Sequence, residues 1–117
     1  MKTKYCKHFP PAGYMALTLW PFIFVRRSAE KRYTLTASNH EHIHGEQQLE
    51  LLLLPMLLLY ALEYLVRLLL YASHKEAYRN ISFEQEAYIN EAVPDYLAHR
   101  HHYAWAKHLF TKTYRNR

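Results

Sequence analysis

The chain is poor in the residues that staple and bend small proteins. Its 117 residues include one cysteine, two glycines and five prolines. Cys6 stands alone and forms no internal disulfide, which excludes a disulfide-stapled secreted module and a cysteine-rich zinc ribbon. So little glycine and proline excludes a turn-rich β-sandwich and leaves helix as the dominant element. The length suits one domain, 1–117, and a hydrophobic share of 50% excludes intrinsic disorder.

No unbroken apolar run reaches the roughly 20 residues of a membrane-spanning helix. Residues 14–25 are apolar and follow Lys2, Lys4 and Lys7. Pro10-Pro11 and Pro21 interrupt that region, however, and Arg26-Arg27 stands where a small-residue cleavage site belongs, so a cleaved signal is not expected. The leucine-rich run from Leu49 to Ala72 is the stronger membrane candidate, but Pro55 lies inside it and Glu63 and Arg67 stand four apart, spaced to pair on one helical face. A buried core helix is the expected fate of this run. Insertion of Leu51 to Leu70 into a membrane, making a small membrane-associated protein, is the competing reading.

The expected fold class is α+β, mostly helical, with a small N-terminal β-hairpin or sheet. Residues 1–13 read as irregular and 14–36 as short strands, including the polar–apolar alternation Arg32-Tyr33-Thr34-Leu35-Thr36. Four helices follow: 39–54, bent or broken at Pro55; 56–73; 82–92 after a short link; and 94–110, opened by Pro94.

What the chain has in excess is histidine, nine residues against a net charge of +5 from the other ionisable side chains. Residues 40–44, His-Glu-His-Ile-His, satisfy HExxH. On a helix, His40 and His44 share a face and can hold one ion, while Glu41, one position round, can reach a water on that ion and act as general base. The competing reading is structural: Ser38-Asn39-His40-Glu41 also fits a capping box, in which Glu41 merely closes a helix start.

A catalytic zinc needs a third protein ligand. Phe83-Glu84-Gln85-Glu86-Ala87-Tyr88 offers two carboxylates on a predicted helix, about 200° apart, so only one of Glu84 and Glu86 can face the ion. Distance restricts the path between the two motifs. An unbroken helix over 45–72 would carry the chain ~42 Å away, and residues 73–84 return at most ~40 Å when fully extended. A ligand at 84 therefore requires the chain to fold back at or near Pro55.

HExxH followed by Glu-x-x-Ala on a later helix resembles the gluzincin-type metallopeptidases. The run Asn39-His40-Glu41-His42-Ile43-His44, Gln47-Gln48-Leu49-Glu50, Leu62-Glu63-Tyr64-Leu65 and 77–88 resembles small bacterial HExxH proteins of unknown function more closely. The resemblance implies a zincin-like fold, one Zn2+, Glu84 as third metal ligand beside His40 and His44, and Glu41 as the catalytic base. It implies a zinc-dependent metallopeptidase acting on a peptide or protein substrate, or a catalytically inactive zincin-like binding or regulatory domain. An edge strand at Arg32–Thr36 is expected to align the substrate. The implied location is a bacterial cytoplasm or membrane surface; separately, 117 residues leave little material for a specificity cleft, which points to homo-oligomerisation, peripheral membrane contact or a partner.

The basic C-terminal stretch, His99-Arg100-His101-His102 with Lys107, His108, Lys112, Arg115 and Arg117, reads as the solvated face of the last helix. No groove-reading motif accompanies it, so no specific nucleic-acid partner is expected. Tyr60, Tyr64, Tyr71 and Tyr78 are expected to pack the core.

Overall fold

The computed structural model describes residues 1–115. A three-stranded sheet is built from β1 (Lys2–Cys6), β2 (Ala16–Leu19) and β3 (Phe22–Arg26) in the order β1-β3-β2. β1 runs parallel to β3, and β2 is antiparallel to it, with Thr18 opposite Ile23. The N-terminal segment read as irregular therefore supplies an edge strand. β3 is central because its alternating Ile23 and Val25 are fully buried, the period-2 pattern of a strand with one covered face.

The alternation at Arg32–Thr36 does not make a strand. A 3-10 turn over Arg27–Arg32 leads straight into α1 (Leu35–Leu51). Thr34 caps that helix, its hydroxyl accepting from the Ala37 N–H at 3.3 Å. α1 thus starts four residues before the predicted boundary, and a cap at Ser38 with Glu41 is ruled out. HExxH lies inside the helix, and the sheet edge next to it is β2, not Arg32–Thr36.

α1 ends at Leu51 and α2 (Leu53–Tyr71) begins two residues later, with Leu52 between them at φ 65° and ψ 156°. Pro55 explains the position. Its ring would strike the Leu51 carbonyl in a continuous helix, whereas as the third residue of α2 its missing N–H is one the first turn does not use. The non-glycine residue at positive φ costs about 1–3 kcal/mol. This break supplies the turn-back on which a ligand at 84 depends.

Ala72, left-handed at φ 52°, closes α2. The predicted link after it contains a further helix, α3 (His74–Arg79), capped by Ser73. α4 (Ser82–Asn90) follows, and its start is held from α2: Glu63 accepts from both the Ser82 N–H and hydroxyl at 2.6 Å. Asn80, fully buried beside that start, donates to the Tyr114 carbonyl and accepts from the Thr113 and Tyr114 amides.

The predicted helix over 94–110 is replaced by a single turn, α5 (Tyr96–His99), and a 3-10 turn over Ala104–His108. Arg100 breaks it. This side chain turns inward, giving two bonds of 2.9 Å to Glu50 and two more to Glu86, and Glu50 also accepts from the Tyr103 N–H. His108 is buried too. The solvated-face reading fails for these two and for Lys112, half-buried and paired with Glu76 at 2.9 Å, and holds for His99 and His102, whose side chains are 75% and 91% exposed. Arg117 lies outside the described residues.

The main apolar cluster joins Met56 of α2, Ile81, Phe83 of α4 and Trp105, with Tyr60, Tyr64 and Tyr78 packed against it. α1 lies between β2 and α4. That layering sets HExxH on one wall of a cleft and the start of α4 on another.

Candidate metal centre

His40 and His44 stand one turn apart on the buried face of α1, and Glu84 projects from the first turn of α4. The three meet. His40 Nε2, His44 Nε2 and Glu84 Oε1 form a triangle whose sides are each 3.2 Å. Two ligands of a tetrahedral zinc at the usual bond length of about 2.0 Å are separated by about 3.3 Å. The donor set therefore fits a small tetrahedral cation, and this buried group can hold a metal ion.

The second ring nitrogens fix which atoms face the centre. Gln47 donates its amide hydrogens to the Phe83 carbonyl at 3.0 Å and Glu86 at 2.9 Å, so its oxygen accepts from His44 Nδ1 at 2.8 Å. His40 Nδ1 donates to Glu91 at 3.0 Å. With both Nδ1 atoms protonated, two neutral imidazole lone pairs and a carboxylate oxygen converge on one point. Three acceptors so close are stable only around a positive charge, a metal ion or a proton.

The electrostatics of the metal-free protein say the same. Burial disfavours the charged form of His40, but hydrogen bonds to Glu84 and Glu91 outweigh it and push the pKa up to about 10. His44 is likewise raised, burial being outweighed by the charge of Glu84. Glu84 is held far below the usual carboxylate range: burial opposes this, and the His44 charge with bonds to both imidazoles prevails. Its other oxygen, Oε2, accepts from the Tyr60 hydroxyl at 2.6 Å. Burial, then the Glu84 charge, raises the Tyr60 pKa well above normal, so the phenol stays a donor.

Glu41 lies on the same cleft wall without joining the triangle. Its Oε1 accepts from the Thr18 hydroxyl of β2 at 2.8 Å. The cleft, of about 390 Å³, is lined by Tyr14, Ala16, Leu17 and Thr18 on the sheet side, by His40, Glu41, His44 and Gln48 of α1, and by Met56, Leu57, Tyr60 and Tyr64 of α2. His74, Tyr78 and Glu84 complete it.

Glu86 takes no part in the triangle. It is fully buried in a separate polar cluster, accepting from Gln47 of α1 and from Arg100 and Tyr96. Of the two candidate carboxylates, Glu84 is the one that meets the histidines.

Gln47, Glu91 and Thr18 drew no functional reading from the sequence, and Tyr60, expected in the core, also bonds Glu84. Gln47, one turn past His44, carried a readable signal in its i+3 spacing. Glu91 stands seven residues after Glu84, two helical turns on the same face, but falls at the very end of α4. Tyr60 and Thr18 reach the site only because α2 and β2 are folded against it. Tyr88 stacks its ring edge-on to His40 at 4.5 Å between centroids, and the Arg79 guanidinium covers it at 3.8 Å.

Fold and site together define a small α+β domain with a buried His-His-Glu group beside an open cleft. The chain matches no family model, no curated protein and no solved structure.

Proposed function

We propose that the protein is a zinc-dependent peptide hydrolase with a zincin-like arrangement, in which His40, His44 and Glu84 hold the metal and Glu41 is the general base. The observation that carries this reading is the 3.2 Å triangle of donors with a second acidic side chain, Glu41, on the adjoining cleft wall. Bound there, zinc would supply Lewis acidity to a scissile carbonyl and to an attacking water.

The residues of the chain divide the remaining tasks. Thr18 holds one carboxylate oxygen of Glu41 and so aims the other, which can take a proton from water and return it to the leaving amine. Tyr60 bonds Glu84 Oε2 and leaves Oε1 turned to the histidines. Glu91 and Gln47 hold the Nδ1 protons and aim both Nε2 atoms inward, so that an incoming metal takes the place of the Nε2 proton.

An extended peptide backbone is the substrate class that the cleft favours. β2 is an edge strand, and Met15 pairs toward β3 by accepting from the Arg26 N–H. By alternation, the backbone groups of Ala16 and Thr18 point away from the sheet toward the cleft side. Gln48 already engages the Thr18 carbonyl and the Trp20 N–H, both at 2.7 Å, as a strand partner would.

The test is metal analysis joined to a peptide-library assay on the full chain and Glu41→Gln. The expected result is about one zinc per chain in both proteins, with cleavage by the first and a rate lower by ~10²–10⁴ in the second. Zinc bound with no cleavage by either would leave an inactive binding domain as the reading. Equal cleavage by both would remove Glu41 as the base.

A further inference from the structure

The outer surface of α2 is not that of a helix meant to face water. Leu53–Tyr71 is long and apolar enough to cross a membrane, yet only 11% of its most apolar window is buried inside the protein. A core helix would be covered; this one is not. At 100° per residue, its exposed positions sweep an arc of about 220° around the axis. Every exposed residue on that arc is apolar, with Leu58 at 71%, Leu62 at 59% and Leu69 at 86% exposure near its middle.

The two charged residues of α2 are turned the other way. Arg67 is buried, bonded to Glu63 at 2.9 Å and to the carbonyls of His108, Leu109 and Thr111. Glu63 in turn caps α4. The inner face is thus tied to polar chain along its length, and the outer face carries no charge at all.

Width decides what covers this face. One partner helix occupies a stripe of roughly 100°, less than half the arc, so a second copy pairing α2 against α2 would leave the rest in water. Spanning a bilayer would drag the polar segments bonded to Glu63 and Arg67 into hydrocarbon. A helix lying in the membrane interface immerses a broad apolar face and keeps its opposite side on the protein. Lys75, exposed one turn beyond α2, and a net charge of +5 suit anionic headgroups.

We propose that the protein docks on a lipid bilayer through α2, which lies in the plane of the interface with the Leu54–Leu70 arc among the acyl chains. Met56, Leu57, Tyr60 and Tyr64 line the cleft from the other side of the same helix, so docking sets the cleft about one helix diameter, ~10 Å, above the acyl chains. The docking rests on the α2 surface and stands whether or not the centre hydrolyses peptides.

Flotation of the full chain with phosphatidylcholine vesicles, with and without phosphatidylglycerol, tests it. The wild type is expected to float with both, more strongly with the anionic vesicles. Leu58→Glu/Leu62→Glu/Leu69→Glu, all at exposed positions, is expected to lower the partition coefficient at least ~100-fold with an unchanged circular dichroism spectrum and zinc uptake. A wild type that stays unbound overturns the proposal. If it also forms a concentration-dependent dimer that the triple variant disperses, the face belongs to a second copy. Flotation of the triple variant equal to the wild type overturns it as well. Zinc uptake, read on the same samples, reports on the centre separately.

Discussion

Replacing Glu84 by glutamine removes one donor of the triangle while keeping its size, and the consequence for zinc can be worked through. The carboxylate is 3% exposed, 3.2 Å from each imidazole nitrogen, and the sole anion in the triangle. Loss of an outer partner of a metal ligand costs 10–100-fold in affinity, so loss of the charged ligand itself should cost at least ~100-fold, or about 2.7 kcal/mol. Zinc at about 1,000 times its dissociation constant stabilises a folded protein by about 4.1 kcal/mol. At roughly 4 °C per kcal/mol for a domain of this size, the wild type should gain about 16 °C in Tm. At the same free zinc, Glu84→Gln retains about 1.4 kcal/mol of that stabilisation, or about 6 °C. The assay is differential scanning calorimetry of each protein with and without zinc. Comparing each variant with itself removes any effect of the substitution on the metal-free fold. Equal shifts in both proteins would refute Glu84 as a ligand, and no shift in the wild type would refute the centre.

Other outcomes follow from the same geometry. Glu91→Gln weakens the acceptor for His40 Nδ1 and should lower zinc affinity ~10–100-fold without changing the one-to-one stoichiometry, as titration calorimetry would read. Zinc affinity should rise with pH: His40 binds its proton up to about 10 in the metal-free protein, and that proton must leave before the metal can bind. Each displaced proton gives a tenfold change per pH unit between pH 7 and about 10, and a flat profile would contradict the shared site. The linked effect on the metal-free fold has the opposite sign. The His40 pKa is raised on folding, so its stabilisation is full below about 6.5, the unfolded value, and is lost as pH rises through about 10, visible as a falling Tm. Glu63→Ala leaves Arg67 buried without its carboxylate and α4 without its cap, a loss of about 3–5 kcal/mol in urea unfolding; under 1 kcal/mol would show the pair to be solvated.

The local chemistry was legible in the order of the residues. His40 and His44 share a face because a helix repeats every 3.6 residues, and this holds whether the helix begins at Leu35 or Asn39. Pro55 required an interruption because its ring excludes the Leu51 carbonyl, and chain length required that interruption if residue 84 was to return. Only the tertiary structure decided between Glu84 and Glu86, since a turn of α4 offers both. Both reach α1, Glu84 at the histidines and Glu86 at Gln47, and the choice is set by the rotation of α4 about its axis, held by Glu63 at its start and by Arg100 on Glu86. The strand at Lys2–Cys6 was illegible because its pairing is parallel to a segment some twenty residues away, beyond any local pattern. Arg32–Thr36 alternated like a strand but became a helix entrance once Thr34 found the Ala37 amide. The leucines of α2 looked like core. Their number exceeded what one small domain can cover, and the interior was taken instead by Glu63, Arg67 and the tyrosines that surround the centre.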